Sequence, residues 1–359
     1  MVQVQSYLMI KLLFFLFSIS ISIIGAIKTR NWLVLWLWIE LKRLALIPIL
    51  RINMSPRTIE ATSKYFLFQA AGRVIILLGI MLRFYCSGQI ITEGRYNFTE
   101  VIIIILALTI KMGIFPRHFW FIEVMKGLSF FRGFFVAIIS KIVPLYVIIF
   151  IRIKTKSPII LIIRLLSIII GSIFGIQQTQ LRKLIALSSI AHLGWMIIIF
   201  NNVKTRWIGI ALFISYIIMV LPLFWIGKRF SIEYLAKSSK PRRKSSIGII
   251  LVLTILSIGG FPPLLGFFYK WIIFLKVIKA EKFLVILILI IARLISLYYY
   301  IQICLVIYMK NWPAIKTIKE TSYIKKRKNK NILWTIIFLK VTLYYFLWII
   351  SPISSRWKL

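Results

Sequence analysis

The chain has 359 residues, 61% of them hydrophobic, and a mean hydropathy of +0.95. Soluble domains run at roughly 45–50% apolar residues, so this composition excludes a soluble globular protein. Against 47 Lys and Arg stand 8 glutamates and no aspartate, a formal net charge of +39. These cations are scattered among apolar runs and not gathered on one soluble face, which argues against nucleic-acid binding.

Apolar stretches of about 20 residues, long enough to cross a bilayer, recur along the whole chain. The expected spans are Leu8–Ile27, Asn31–Arg51, Lys64–Cys86, Glu100–Ile122, Gly127–Phe150, Ser157–Ile176, Leu184–Phe200, Trp207–Ile226, Ser246–Tyr269, Phe283–Met309 and Ile332–Ile350. The first reads as a retained span: IKTRNW follows it where a cleavable signal needs a small-x-small site. The predicted fold is therefore an all-α polytopic membrane protein of about 11 transmembrane helices, a single membrane domain over 1–359.

Two of these stretches carry helix breakers deep inside, IKMGIFP with Pro116 and IGGFPPLLGFFYK with Pro262 and Pro263. A proline inside a membrane helix leaves a carbonyl that must find a donor in the protein or in a wet cavity. Paired broken helices at matching places are a mark of inverted repeats, which places the halves at 8–150 and 157–309. A basic loop and a last helix follow over 310–359. Ordinary kinks are the alternative.

Ionisable groups inside such spans cost several kcal/mol and mark a pathway or a partner. Glu40 lies mid-span in LWLWIELKRLALIPIL, Lys111 beside the first break, Lys141 in AIISKIVPL and Lys270 in FFYKW after the second break. They are candidates for a proton pathway. The two histidines, His118 and His192, lie close to these segments, and imidazole exchanges protons near neutral pH, so both are relay candidates. Simpler roles stay open: Lys270 snorkelling to the interface, His118 as a structural group, Glu40 as an ion-pair tie. Cys86 and Cys304 stand alone, without CxxC or His–Cys spacing, and no Gly-rich nucleotide loop is present. The residues thus offer no metal, iron–sulfur or cofactor-binding pattern.

Five motifs in order carry a resemblance: KYFLFQA (Lys64–Ala70), IKMGIFPRHFWFIEVMKGLS (Ile110–Ser129), SKIVPL (Ser140–Leu145), QTQLRKLIALSSIAHLGWM (Gln178–Met196) and GGFPPLLGFFYKW (Gly259–Trp271). Together they resemble the subunit 2 family of mitochondrial NADH:ubiquinone oxidoreductase, respiratory complex I, over about residues 7–310. The resemblance implies an antiporter-like membrane-arm subunit with two inverted five-helix repeats. It also implies that Glu40 and Lys111 form a coupled pair, continued by Lys141 and Lys270 as a central polar axis. NADH, FMN, iron–sulfur clusters and ubiquinone would belong to other subunits, and the partners would be lipids and neighbouring antiporter-like subunits in the mitochondrial inner membrane. A stand-alone cation/proton antiporter and a structural subunit without its own proton path are the alternatives.

The chain departs from that family in its excess of cations. Arg83, Arg164 and Arg293 are embedded in apolar runs, Arg73, Arg117 and Arg132 replace small, hydroxyl or apolar residues, and Lys42 stands where the family carries asparagine. Some mitochondrial codes read AGA and AGG as serine and AAA as asparagine, so reading such a gene with the standard code would create these cations. Peptide sequencing by mass spectrometry of the native membrane protein is then expected to return serine at residues 83 and 293. Arginine at both would make the chain as basic as it reads.

Overall fold

The computed structural model describes residues 2–52, 55–92, 94, 96–150, 158–199, 206–230, 245–262, 264–279 and 283–311. Among them every regular element is helical, and an isolated bridge pairs Asn31 with Ile91. The helices fall into two compact units, one drawn from Met1–Gly171 with Ile185–Gly209, the other from Ser172–Leu184 with Ile210–Leu359.

In the first unit the helices are α1 (Val2–Lys28), α2 (Trp32–Arg51), α3 (Pro56–Ser87), α4 (Phe98–Met112), α5 (Phe119–Gly127), α6 (Phe130–Phe134) and α7 (Ser140–Phe150). A π-helical turn, Phe135–Ile139, joins α6 to α7. The sequence explains several boundaries. Asn31 caps α2 by accepting from the Leu33 N–H, and Ser55 opens α3 with a capping box to Thr58 and Pro56 in the first turn. This start lies eight residues before the expected Lys64, because Ser55-Pro56 is a strong helix opener whatever the hydropathy. Gly88, left-handed at φ 64°, closes the same helix. α1 packs on α2, α3 on α2, α4 and α5, and α7 against α1, α2 and α4.

Helices α8 (Pro158–Ile176) and α9 (Leu181–Ile199) follow. They approach closely at small residues, as membrane helices do when no water drives them together. A side chain at Gly171 would stand 2.8 Å from Ala191 Cβ and 2.9 Å from the Leu187 carbonyl. The second unit contains α10 (Arg206–Phe230) from Ile210 onward, α11 (Ser245–Gly259), α12 (Leu265–Ile278) and α13 (Phe283–Asn311), with α11, α12 and α13 in mutual contact.

Six helices among the described residues are long and apolar enough to cross a membrane singly: Lys11–Lys28, Pro56–Ser87, Phe130–Ile149, Leu181–Ile198, Ile208–Arg229 and Phe283–Ile307. Three of the other expected spans fall short for local reasons. The expected fourth and ninth spans are each two shorter helices, and the second carries Glu40, Lys42 and Arg43 in mid-helix. The expected last span and most of the basic loop before it lie outside the described residues, as does Pro263.

Overfilling the α8–α9 crossing with Gly171→Leu is expected to destabilise the chain by about 1–3 kcal/mol, read as a lower melting temperature in detergent. Gly88→Ala meets open space, so only the left-handed strain of about 1 kcal/mol should remain.

Candidate proton-pathway site

Lysine 111 sits in the last turn of α4, 2% exposed. The helix stops one residue later because Gly113 takes the left-handed conformation at φ 69°. There the Gly113 and Ile114 N–H groups donate back to the Ile110 and Thr109 carbonyls, a Schellman closure. Side chains add to this closure: Trp120 Nε1 of α5 also donates to Ile110 O at 3.2 Å, and Gln69 Nε2 of α3 donates to Lys111 O at 2.9 Å. The stem of Lys111 crosses α3 at Gly72, where a Cβ would come within 2.8 Å of its Cγ. Glycine is thus the residue that lets this lysine lie against α3. Pro116 falls in the segment between α4 and α5, after a cis Phe115–Pro116 bond.

Glu40 projects from α2 with one oxygen, Oε1, held by two guanidiniums, Arg43 of its own helix and Arg73 of α3 at 2.5 Å. Among the described residues these are its ion-pair partners. Lys111 feels the charges of Glu40, Arg43 and Arg73 without joining them in a direct ion pair. Neighbouring residues of α3, Gly72 and Arg73, therefore touch the lysine and the glutamate respectively.

Lys141 follows the π-helical turn and is 1% exposed. Its ammonium donates to Ser189 Oγ of α9 at 3.1 Å and lies 4.1 Å from the ring centre of Phe121, the first buried aromatic after Trp120 on α5. His192, buried, lies one turn beyond Ser189 on α9, on the same face. His118, also buried, precedes α5, with its ring 4.1 Å from that of Phe119. The structure thus gathers Glu40 and Lys111 around α3, and Lys141 and His192 around Ser189; His118 stands at the α4–α5 break.

In the second unit α11 ends in the same way as α4. Gly260 is left-handed at φ 85°, and Gly260 and Phe261 N–H groups return to the Ser257 and Leu256 carbonyls. Pro262 follows directly in the turn before α12. Lys270 reaches back from α12 and donates to the Gly259 carbonyl at 2.8 Å, with Ser296 Oγ of α13 at 3.4 Å. It is 2% exposed, so its ammonium turns inward to the negative end of α11 and not to an interface.

The departing cations also find seats. Arg132 donates to the Leu50 carbonyl and Ser129 Oγ, Arg83 lies 3.8 Å over the Tyr96 ring, and Arg293 packs over Phe267 at 4.8 Å. Arg164 borders a cavity of about 10 Å³ shared with Thr109 of α4, about the space of one water. Gln69, Gly72 and Ser189 were not singled out by sequence reasoning. Gln69 was visible as a lone amide inside the apolar KYFLFQA run, whereas Gly72 and Ser189 acquire meaning only through packing.

With this geometry in hand, the relatives are informative. A family model described as NADH:quinone oxidoreductase/Mrp antiporter, TM, matches residues 29–296. NADH-ubiquinone oxidoreductase chain 2 of Dugong dugon is 33% identical over 90% of this chain and 92% of its own length. A chain of respiratory complex I from Thermus thermophilus shares the fold at a TM-score of 0.74 and 22% identity, covering 83% of this chain and 70% of that one. A chain of the Mrp complex from Dietzia sp. DQ12-45-1b superposes at a TM-score of 0.71 and 14% identity, over 80% and 59% respectively. By that identity and the length of the matched model, the chain belongs to the NADH-ubiquinone oxidoreductase chain 2 family of antiporter-like membrane proteins.

Proposed function

We propose that the chain is a core membrane-arm subunit of respiratory complex I, in the mitochondrial inner membrane, and that it contributes a proton-translocation pathway. The observation that carries this is the burial of Lys111, Lys141 and Lys270 to 2%, 1% and 2% exposure, the first two beside an irregular turn of their own helices and the third against the broken end of α11. A buried ammonium exerts its charge through a medium of low effective dielectric, where charges interact far more strongly than in water. A proton gained or lost at one such site therefore changes the proton balance of the charges packed near it. Glu40, held by Arg43 and Arg73, is the negative end of this series, and Lys111, Lys141 and Lys270 are the carriers. His118 and His192 are relay members, since imidazole accepts and releases protons near neutral pH.

The chain's share of the reaction is proton movement. NADH, FMN, iron–sulfur clusters and ubiquinone belong to other subunits, which drive the transfer, and the chain itself holds no redox centre. Its helices over 8–150 and 157–309 are read as inverted repeats, each with one broken helix, and neighbouring antiporter-like subunits and lipid cover its outer faces. The second reading, a stand-alone cation/proton antiporter, draws on the likeness to the Mrp chain.

Lys111→Met in the assembled complex is expected to lower proton pumping at least about tenfold, a barrier change of ~1.4 kcal/mol, with the complex still assembled. Unchanged pumping and turnover would remove the pathway role. Comigration of the chain with a very large native complex supports the subunit reading, and migration alone supports the antiporter.

A further inference from the structure

Pro144 lies inside α7, four residues after Ser140. It has no N–H to return to the Ser140 carbonyl, so that carbonyl loses its normal helical partner. On the other side of Ser140 the π-helical turn Phe135–Ile139 has already widened the ladder, and the Ser140 N–H is shared between the Ile138 and Phe135 carbonyls. Ser140 stays tied to the preceding turn through its Oγ, which donates to the Val136 carbonyl at 2.6 Å, while its own carbonyl is left open immediately before Lys141. A buried carbonyl without a donor costs about 1–3 kcal/mol, and no water reaches it in the core of a bilayer.

The missing donor comes from another helix. Lys42 of α2, 4% exposed, places its ammonium 2.9 Å from the Ser140 oxygen. Lys42 stands two residues after Glu40, so the two side chains leave α2 on different faces. Glu40 goes to Arg73 on α3 and Lys42 to α7. One helix therefore joins the glutamate cluster to the backbone that carries Lys141, whose own ammonium points away to Ser189 and Phe121. We propose that Lys42 is a positioning residue for proton transfer: its ammonium replaces the N–H that Pro144 lacks and fixes the rotation of Lys141 toward Ser189. This rests on the pathway reading of Lys141 given above.

The test is a double-mutant cycle in the assembled complex, with Lys42→Met, Pro144→Ala and both together. Lys42→Met removes the donor at nearly constant length and is expected to lower proton pumping about tenfold, a scale typical of a misplaced reacting group. Lys42→Gln, which keeps an N–H donor, should retain most of it. Pro144→Ala returns a backbone N–H to Ser140, so adding Lys42→Met to it should change pumping little. A Lys42→Met complex that pumps as the parent does overturns the proposal. So does a loss that persists undiminished on Pro144→Ala, which would make the ammonium important for a reason other than this carbonyl. Asparagine found at residue 42 by peptide sequencing overturns it as well, because that amide ends two bonds short of the ammonium.

Hydrogen exchange over residues 140–145 separates this idea from the functional reading. If Lys111→Met leaves pumping intact, the pathway reading fails. Faster exchange there in Lys42→Met, suppressed in the double variant, would still support the tie, and unchanged exchange would sink it.

Discussion

Backbone carbonyls released inside an apolar medium must be met by donors from the protein itself, and much of this structure is arranged around that requirement. The Schellman closures at Gly113 and Gly260 end α4 and α11 inside the fold and leave carbonyls there. Trp120, Gln69 and Lys270 supply the donors. The broken ends are thus cross-braced by neighbouring helices, which lowers the polar cost of stopping α4 and α11 inside the fold. Each break also creates the polar surroundings in which a lysine can be buried: Lys111 lies in the last turn before one, and Lys270 reaches back across the other.

The cation excess follows the same logic less completely. With 47 basic residues and 8 acids, charge pairing cannot serve most of them. Glu40 is shared by two arginines, and Lys64 is shared between Glu60 and Glu123 at 2.6 Å each. Others lie on aromatic faces, as Arg83 does on Tyr96 and Lys141 on Phe121. Such contacts gain roughly 0.5–2 kcal/mol, against several for placing a charge in the bilayer. Lys141 recovers part of the difference through Ser189; for Arg293 the ring contacts leave most of the cost standing, which is why its identity is a sharp question the sequence raises.

Hydropathy made the helices legible, and the lysines stood out because a charge in an apolar run has few ordinary explanations. Gly-x-Phe-Pro at 113–116 and Gly-Phe-Pro at 260–262 located the breaks for a local reason: left-handed glycine and proline act on their own backbone, whatever surrounds them. What sequence could not supply was anything that depends on a second helix. Gly72 looks like any glycine of a membrane helix until Lys111 is laid across it. Ser189 is one of two adjacent serines in SSIAHL, and only packing selects it for Lys141. The π-helical turn at Phe135–Ile139 has no composition of its own. The coupling of Glu40 with Lys111 that the resemblance implies shows the same limit, since nothing in the two spans revealed that Arg73 of α3 would share the glutamate.

That third party changes how the glutamate and the lysine communicate. Gly72 and Arg73 are consecutive on α3, so the helix that bears the Lys111 stem also carries the cation held by Glu40. A shift of α3 alters both environments together: it changes the fit around the lysine stem and the strength of the Glu40–Arg73 pair. Conversely, any change in charge at Glu40 loads α3 through Arg73 and reaches Lys111 through the residue beside it. Packed membrane helices move as units and not residue by residue, so this arrangement links the two groups mechanically as well as through the field. The glutamate and the lysine need no direct contact for either to register the state of the other.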